Sequence, residues 1–319
     1  MTWRVLVSAP YFIPVIEEYR HRLVTEGVHL VPVQVRERLS EAELLEVITD
    51  IDGIICGDDR ITKRVLDAAP RLKVISKWGT GIDSIDSEEA KRRGIPVYRT
   101  PNAFSEPVAD TVLGYILAFA RKLPLMDRQI RKGRWEKPPL VSLGECTLGV
   151  VGVGNCGKAV ARRAMAFGMH ILGNDIVEMS KDFLSETGIQ MVSLGELLAK
   201  ADFVSLNPDL NPTSYHLINK KQLDMMKPSA YLINASRGPV VDEPALVRAL
   251  QEGWIAGAAL DVFEEEPLPA YSPLRTIKNC LLAPHNANSS PRAWQRVHEN
   301  TVYNLLKGLH AAGALNESS

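Results

Sequence analysis

Three side chains in the second half of the chain are of the types needed to reduce a 2-oxo acid. Arg237, Glu266 and His285 each lie just after a run of apolar residues that is typical of a β-strand. An arginine can bind a carboxylate at two points and keeps its charge. A histidine titrates near neutral pH, and a nearby carboxylate favours its protonated form. We therefore predict that Arg237 holds the substrate carboxylate, that His285 donates the proton, and that Glu266 keeps His285 charged.

Each of these residues also has a structural alternative. Arg237 could cap a backbone carbonyl, Glu266 could belong to a solvated acidic run, and His285 could be a buried histidine with satisfied hydrogen bonds. Their joint position favours chemistry, because the carboxyl ends of parallel strands line the ligand crevice of an open α/β sheet. His216 and His298 have no comparable setting, and we expect both at the surface.

A glycine-rich turn precedes this set. Gly152, Gly154 and Gly157 form the G-x-G-x-x-G pattern between an apolar run and an alanine-rich helical run. Such glycines permit a tight turn and let a pyrophosphate approach the amides at a helix start, where the helix dipole favours negative charge. Asp175 follows at close to the spacing of about 20 residues typical of a carboxylate that binds the adenosine ribose. Because no arginine lies in 176–179 to hold a ribose phosphate, we predict NAD rather than NADP.

The glycines have two other interpretations. They could form a tight turn by chance, since the chain has 22 glycines. A methyltransferase could also use a similar turn to hold an adenosyl cofactor. The flanking strand, the helix and Asp175 argue against a chance match, and the catalytic set argues against a methyltransferase.

Composition limits the class of protein. A chain of 319 residues with 45% hydrophobic and 24% charged residues predicts a folded protein with two packed cores. The 37 basic and 38 acidic side chains nearly cancel, which disfavours nucleic acid and membrane surfaces as partners. The first residues lack the apolar run of a signal peptide or spanning helix, so we expect a cytoplasmic location. The four cysteines lack ligand spacing, and we interpret them as reduced packing residues and predict no metal site.

Short β-branched runs alternate with helical segments along most of the chain, which predicts parallel sheets flanked by helices. The first five predicted strands are 5–7, 29–33, 53–56, 74–76 and 95–98. The next six are 148–151, 171–174, 203–206, 231–234, 256–260 and 280–283. Ser40 with Glu43 and Ser193 with Glu196 predict capping boxes at two helix starts. A helix over about 107–121 is so broadly apolar that we expect burial between domains or subunits, and a last helix is predicted from about 290 to 309.

With these residues in view, the chain resembles the D-isomer-specific 2-hydroxyacid dehydrogenase family over almost its whole length. The resemblance rests on six ordered blocks: Lys77–Asp83, Thr100–Asn102, Val151–Gly154, Leu232–Gly238, Ala259–Pro267 and Pro284–His285. It implies an α/β fold of two doubly wound parallel-sheet domains, a flavodoxin-like substrate domain and a Rossmann cofactor domain, with the active site in the cleft between them. We expect residues 1–101 and 289–319 to form the substrate-binding domain and residues 102–288 to form the NAD-binding domain.

The resemblance also implies roles for individual residues. It assigns catalysis to Arg237, Glu266 and His285, and it implies that the backbone amides of the loop Trp78, Gly79, Thr80 and Gly81 bind the substrate carboxylate. The expected cofactor-binding residues are Gly152, Gly154, Asn155, Cys156, Gly157, Asp175, Asn207, Thr213, Ala235, Ser236 and Asp261. Of these, Asp261 is expected to meet the nicotinamide carboxamide. Family members are usually dimers joined through the cofactor domain, which implies a homodimer that buries the helix near 108–121 and the segment around Trp135.

The pattern is closest to phosphoglycerate dehydrogenase-like members without a regulatory domain. It implies an NAD-dependent D-2-hydroxyacid dehydrogenase or 2-oxoacid reductase, with 3-phosphoglycerate as one candidate substrate. Those enzymes generally hold the phosphate with an arginine soon after the third strand, where this chain has Asp58, Asp59 and Arg60. The two carboxylates would oppose a phosphate unless Arg60 turns inward. The alternatives are a non-catalytic NAD(H)-sensing protein of the same fold and a dehydrogenase for a different small anion, such as formate or phosphite.

Overall fold

The structure, a computed structural model, describes residues 2–317. The chain divides after Ala103 and again after Ser289 into two compact units. Unit 1 combines the segment that ends at Ala103 with the segment that begins at Ser290, and unit 2 is Phe104–Ser289. The boundaries expected from the sequence, after residues 101 and 288, fall one or two residues earlier.

Unit 1 is built on a five-stranded parallel sheet with the strand order β2-β1-β3-β4-β5. Its strands are β1 (Trp3–Val7), β2 (Val28–Pro32), β3 (Gly53–Cys56), β4 (Val74–Lys77) and β5 (Val97–Tyr98). Its helices are α1 (Ile16–Thr25), α2 (Glu41–Val47), α3 (Lys63–Asp67), α4 (Ser87–Arg92) and the last helix of the chain, α12 (Pro291–Glu317). This is the flavodoxin-like order, so the predicted fold of this part is confirmed.

Burial on both faces explains the apolar central strands of this sheet. Every residue of β3 and β4 is buried, as expected for parallel strands that helices cover on both sides. α12 packs against both strands, and the Ser76 hydroxyl in β4 donates a hydrogen bond of 2.8 Å to the carbonyl oxygen of Thr301 in α12. The last helix extends past residue 309, where we expected it to end.

Unit 2 is built on a seven-stranded parallel sheet with the order β12-β11-β10-β9-β6-β7-β8. Its strands are β6 (Thr147–Val151), β7 (His170–Asn174), β8 (Gln190–Met191), β9 (Phe203–Leu206), β10 (Tyr231–Asn234), β11 (Gly257–Leu260) and β12 (Cys280–Leu282). Its helices are α5 (Ser105–Ala120), α6 (Leu123–Arg131), α7 (Asn155–Ala166), α8 (Lys181–Thr187), α9 (Leu194–Lys200), α10 (Lys220–Leu223) and α11 (Glu243–Glu252). Strands are added outward on both sides of β6, which confirms the predicted Rossmann fold. The sequence pattern does not predict β8, because a strand of 2 residues shows no alternation.

The apolar stripe of α5 is satisfied inside unit 2. Val108, Val112 and Ile116 are buried, and the helix packs against α7 and β10. Val112 and Ile116 belong to the same core cluster as the strand residue Leu148. The burial of Val112 and Ile116 is therefore explained by the unit's own core and needs no domain or subunit interface.

The two predicted capping boxes differ in outcome. Ser40 accepts a hydrogen bond from the Glu43 amide, and the Glu43 side chain accepts one from the Ser40 amide, so the first box is confirmed. Ser193 likewise accepts from the Glu196 amide, but the Glu196 carboxylate pairs with Lys200 at 2.7 Å. The Glu196 carboxylate thus forms an i,i+4 ion pair instead of accepting from the Ser193 amide, so only half of the second box is present.

Residues 2–317 contain neither a membrane-spanning helix nor a metal-binding cluster, and their cysteines form no disulfide. No helix there is long and apolar enough to cross a bilayer, and no group of three or more histidine, cysteine, aspartate or glutamate side chains could hold a metal ion. The cysteines are free thiols, with Cys56 and Cys146 buried and Cys156 and Cys280 half-buried. Burial raises the pKa of the Cys280 thiol to about 12, so this thiol stays protonated at neutral pH.

Candidate active site

The turn after β6 has the shape that its glycines predict. Gly152 adopts a left-handed backbone with φ of 81°, and a Cβ there would lie 2.6 Å from the backbone nitrogen of Pro208. A Cβ on Gly157 would lie 2.0 Å from the carbonyl oxygen of Gly152. Both positions therefore require glycine, one for conformation and contact and the other for the close approach of α7 to the strand.

This turn has room for an anion at the start of α7. A Cβ added at Gly154 would have no heavy atom within 4 Å, so the space above this residue is open. Gly154 is the N-cap, and in the described chain no side chain caps the helix there. The first amides of the 12-residue helix, at Asn155, Cys156 and Gly157, face a site with helix-dipole stabilisation for negative charge. The residues therefore fit the pyrophosphate of a dinucleotide.

Asp175 is fixed in place beside this turn. One of its carboxylate oxygens accepts a hydrogen bond of 2.6 Å from the Val153 amide, and the other accepts one of 2.9 Å from the Val177 amide. A carboxylate has about four acceptor sites, so each oxygen can also accept from a ribose hydroxyl. Asp175 is therefore positioned to bind the adenosine ribose.

Three other expected cofactor residues lie in α7, directly after β9, and on the loop that follows. Cys156 lies in the first turn of α7, and burial raises the pKa of its thiol, which keeps it neutral. Asn207 donates through its side-chain amide to the Ser205 carbonyl at 3.1 Å and accepts from the Ser205 hydroxyl. Thr213 is exposed and donates from its hydroxyl to the Asn211 side chain. The structure thus places Asn207 at the strand-end edge and Thr213 on the following exposed loop.

Glu266 and His285 are brought together although 19 residues separate them in sequence. Nδ1 of His285 lies 2.9 Å from one Glu266 oxygen. The other Glu266 oxygen accepts a hydrogen bond of 2.9 Å from the Phe263 amide. Both side chains are largely buried, with exposed fractions of 21% for His285 and 14% for Glu266. Because one Glu266 oxygen is held by the backbone, the other is oriented to fix the imidazole ring.

The backbone around His285 is held in an uncommon conformation by Asp261. His285 has a φ of 52°, a left-handed conformation that is unfavourable for a residue with a Cβ. Its amide donates to the Asp261 carbonyl at 2.7 Å. The buried Asp261 carboxylate accepts from the amides of Asn286 and Ala287 at 2.9 and 2.8 Å. Asp261 therefore anchors the loop that presents His285, a task that the sequence pattern does not reveal.

Arg237 follows β10 in a turn that Asn234 organises. The buried Asn234 side chain donates to the Arg237 carbonyl at 2.9 Å and accepts from the amide and hydroxyl of Ser236. Gly238 follows, and a Cβ there would lie 1.9 Å from the Phe263 backbone. This contact joins the turn that carries Arg237 to the segment that carries Glu266. Asn234 belongs to the block Leu232–Gly238 that supports the family resemblance, but only its hydrogen bonds show that it shapes the turn.

In unit 1, the loop from Trp78 to Gly81 is pinned by hydrogen bonds. The Gly79 carbonyl accepts from the Thr100 amide at 2.9 Å, and the Thr80 hydroxyl donates to the Thr100 carbonyl at 3.0 Å. Gly79 has a φ of 124°, which a glycine adopts without strain. The loop is thus a rigid feature at the carboxyl end of β4.

Of the two histidines expected at the surface, His298 is buried, whereas His216 keeps 31% of its side chain exposed. His298 is 6% exposed, and its Nδ1 accepts a hydrogen bond of 3.0 Å from the Trp78 indole. Burial lowers the pKa of His298, which suits an acceptor that must stay unprotonated. His216 is half-buried, with Nε2 at 2.9 Å from Glu264. The expectation for His298 is wrong because its burial depends on Trp78, which lies 220 residues away in the sequence.

A comparison with protein-family models decides the family. Residues 113–287 match the model described as "D-isomer specific 2-hydroxyacid dehydrogenase, NAD binding domain". The chain belongs to the D-isomer-specific 2-hydroxyacid dehydrogenase family. This dehydrogenase is an oxidoreductase that acts on the CH–OH group of 2-hydroxy acids, and NAD is its cofactor.

Curated and solved relatives support the same family. The dehydrogenase is 43% identical over 274 residues to a glyoxylate reductase of Korarchaeum cryptofilum, covering 84% of this chain and 82% of the relative. It is 38% identical over 310 residues to a D-3-phosphoglycerate dehydrogenase of Methanocaldococcus jannaschii, covering 92% of this chain but 59% of that protein. The crystal structure of a D-lactate dehydrogenase from Aquifex aeolicus, complexed with NAD and lactic acid, is similar to this chain with a TM-score of 0.86 and 28% identity, covering 98% of this chain and 96% of that one.

Proposed function

We propose that this dehydrogenase reduces a small 2-oxo acid that carries no phosphate, such as glyoxylate or hydroxypyruvate, to the D-2-hydroxy acid. The observation that carries the proposal is the arrangement of charges after β3, where the resemblance would place a phosphate-binding arginine. The name of the glyoxylate reductase relative agrees with this choice. We further propose a cytoplasmic location, because free thiols are typical of reducing compartments.

The two carboxylates that follow β3, those of Asp58 and Asp59, already have partners within unit 1. Asp59 is fully buried and accepts hydrogen bonds from the amides of Leu39 and Gly57 and from the Ser8 hydroxyl. Burial raises the pKa of Asp59, although these hydrogen bonds oppose the change. Asp58 pairs with Lys77 at 2.8 Å, so neither charge is uncompensated.

Arg60 is exposed, whereas a phosphate site would need it to turn inward. An anionic phosphate next to Asp58 would experience repulsion that only a nearby cation could offset. The charge arrangement therefore supports an unphosphorylated substrate.

The catalytic residues supply a complete set of roles for the reduction. We propose that the Arg237 guanidinium and the amides of the loop from Trp78 to Gly81 bind the substrate carboxylate. His285, held by Glu266, donates a proton to the carbonyl oxygen as it becomes a hydroxyl. NADH, when bound, supplies the hydride that reaches C2 of the acid. The overall change consumes one 2-oxo acid, one NADH and one proton, and it yields the 2-hydroxy acid and NAD⁺.

The same residues would serve the reverse reaction by microscopic reversal. A neutral His285 would then accept the hydroxyl proton of the 2-hydroxy acid, and the Glu266 carboxylate would stabilise the charge that forms on the ring. We also propose that the amides at the start of α7, Asp175 and the segment from Ala235 to Ser236 bind the cofactor. Asp261, Asn207 and Thr213 complete this proposed cofactor set.

Substrate choice can be tested with a panel of 2-oxo acids and one variant. We expect the wild-type enzyme to oxidise NADH with glyoxylate and hydroxypyruvate at a higher kcat/KM than with 3-phosphohydroxypyruvate, measured by loss of NADH absorbance. Arg60→Ala should leave the KM for every acid within about twofold, because the exposed side chain binds no substrate group.

The opposite result would identify a phosphate site. Loss of an arginine–phosphate contact costs about 1.5–3 kcal/mol, or roughly 10- to 100-fold in affinity. A KM for 3-phosphohydroxypyruvate that rises by that factor in Arg60→Ala, while the KM for glyoxylate is unchanged, would refute the proposal. Arg64→Ala is the matched control, because Arg64 is also exposed and pairs with Glu41.

We also propose that the enzyme is a homodimer joined through unit 2. Because Val112 and Ile116 of α5 are buried in the unit's own core, we place the interface on a group of exposed apolar side chains between residues 123 and 141. Its exposed members are Leu123, Leu125, Ile130, Trp135 and Val141, with Trp135 exposed by 82%. So many exposed apolar side chains within one short segment are typical of a surface that a partner covers.

The dimer is tested by sedimentation of a surface variant. We expect the wild-type protein to sediment as a dimer and Trp135→Asp to shift the population towards monomer at the same concentration, because a carboxylate would be buried without a partner. Val24→Asp, which changes an exposed apolar residue of unit 1, should remain dimeric. A wild-type protein that stays monomeric at micromolar concentrations would rule out this interface.

A further inference from the structure

Three aromatic rings meet beyond the carboxyl ends of strands in unit 1. Tyr11 follows β1, Trp78 follows β4, and Trp294 lies in the first turn of α12. The ring centroids are 5.2 Å apart for Tyr11 and Trp78, 5.1 Å for Tyr11 and Trp294, and 5.8 Å for Trp78 and Trp294. These distances lie in the range of favourable aromatic contacts. We call these three side chains the aromatic cluster.

Polar contacts hold the Trp78 member of the cluster in place. Trp78 is 4% exposed, and its indole nitrogen donates to His298 at 3.0 Å. The buried Lys77 donates to the Trp78 carbonyl at 3.3 Å and pairs with Asp58 at 2.8 Å. Because both the ring and the backbone of Trp78 are held, the surface that this residue offers is preorganised.

The Trp294 indole differs from the other indoles that donate hydrogen bonds. Its Nε1 is buried and has no hydrogen-bond partner in the part of the chain that the structure describes. By contrast, Trp78 donates to His298 and Trp254 donates to Glu252 at 3.0 Å. A buried donor without an acceptor is unfavourable and uncommon in native proteins. A ligand that brings an acceptor would explain it.

The place of the cluster in the sheet indicates which ligand this could be. Ligands of open α/β sheets bind beyond the carboxyl ends of strands, near the point where the strand order reverses. In unit 1 this point lies between β1 and β3, and Tyr11 lies on the segment that follows β1. Trp78 opens the loop to which the proposed function assigns the substrate carboxylate. In a 2-oxo acid the third carbon is two bonds from the carboxylate carbon, so it would lie close to neighbours of Trp78.

We propose that Trp294 determines substrate specificity by donating its indole N–H to an uncharged oxygen on the third carbon of the 2-oxo acid, with Tyr11 and Trp78 lining the same subsite. This inference rests on the proposed function. The cluster offers aromatic ring surfaces and the neutral indole donor of Trp294, and the nearby Lys77 charge is already paired with Asp58. The subsite therefore favours a hydroxyl at the third carbon over a methyl group, and hydroxypyruvate over pyruvate.

The test replaces the donor but keeps an aromatic ring. Trp294→Phe and wild type are compared for kcat/KM with hydroxypyruvate, pyruvate and glyoxylate, of which glyoxylate has no third carbon. We expect the ratio of hydroxypyruvate to glyoxylate to fall about 5- to 10-fold in Trp294→Phe, the effect of losing one hydrogen bond. The ratio of pyruvate to glyoxylate should change by less than twofold. Trp254→Phe, which removes an indole N–H in unit 2, should change neither ratio.

Two results would overturn the inference while leaving the proposed function intact. If Trp294→Phe leaves both ratios unchanged, the N–H contacts no substrate oxygen. If the kcat/KM for all three acids falls by the same factor, Trp294 only supports the position of the Trp78 loop. If the wild-type enzyme reduces none of the acids, the proposed function fails. A binding measurement then tests whether Trp294 contacts an oxygen on the third carbon of the ligand.

That measurement is the rise in thermal midpoint that D-glycerate and glycolate produce in the presence of NAD⁺. D-Glycerate has a hydroxyl on its third carbon, and glycolate has no third carbon. The inference expects a larger rise with D-glycerate in the wild-type protein and the loss of this excess in Trp294→Phe. An equal rise with both acids in the wild-type protein would overturn it. The wild-type and variant midpoints without ligand show whether Trp294→Phe is folded.

Discussion

Replacing His285 with glutamine is expected to lower kcat for 2-oxo acid reduction by about 10²- to 10⁴-fold, the usual contribution of a positioned proton donor. Glutamine can still form a hydrogen bond but cannot transfer the proton that the carbonyl oxygen needs. The dissociation constant of NADH should stay within about twofold, because the glycine turn and Asp175 lie on other strands. Steady-state kinetics and NADH fluorescence titration measure the two quantities.

The chain offers a matched control for this variant. His216 lies 2.9 Å from Glu264, the same distance as His285 from Glu266, and both pairs belong to unit 2. His216→Gln should therefore retain kcat within about threefold of wild type if only the His285 pair is catalytic. Equal losses in the two variants, or more than a tenth of the activity left in His285→Gln, would contradict the assigned role.

The carboxylate of this pair can be tested through the pH profile of the same reaction. Glu266→Gln keeps a hydrogen-bond acceptor but removes the negative charge that favours a protonated imidazole. Reduction needs the protonated ring, so the pH above which kcat/KM falls should move to a lower value in Glu266→Gln. A profile that keeps its position while its height drops would show that Glu266 orients the ring without affecting its charge.

The second large effect is expected at the glycine turn. In Gly157→Ala the new Cβ would lie 2.0 Å from the Gly152 carbonyl oxygen, and this backbone atom cannot rotate away as a side chain could. We expect a loss of at least about 2 kcal/mol, which lowers the thermal midpoint by about 4–8 °C for a unit of this size. NADH binding should weaken by more than tenfold, because α7 must shift from the turn that holds the pyrophosphate.

Gly154→Ala separates binding from folding in the same turn. Gly154 has a φ of −71°, and a Cβ there would meet no atom within 4 Å. Its thermal midpoint should therefore stay within about 2 °C of wild type, whereas the methyl group would occupy space that the pyrophosphate needs. Calorimetry and NADH titration check both expectations. If Gly157→Ala were as stable as Gly154→Ala, the close packing of α7 on the turn would not be essential.

Properties carried by neighbouring residues were predictable from the sequence. The apolar runs identified the strands of both sheets except β8, because a buried parallel strand needs several consecutive apolar residues. The glycine spacing identified the cofactor turn, since the left-handed backbone of Gly152 and the close approach of Gly157 to the Gly152 carbonyl oxygen are both local to that turn. The family was evident from blocks whose order along the chain is itself a sequence property.

Relations between distant residues were decided only by the tertiary structure. The sequence supplied Glu266 and His285 as suitable types, but packing placed their side chains 2.9 Å apart. Packing also placed the buried Asp261 carboxylate where it accepts hydrogen bonds from the loop after His285. It brought His298 into contact with Trp78, which lies 220 residues earlier. Trp294 had no distinguishing sequence context, and only its contacts show an unsatisfied indole. Local patterns determined the strands and the glycine turn because neighbouring residues form them, whereas the contacts of the site depend on how the sheets and helices pack.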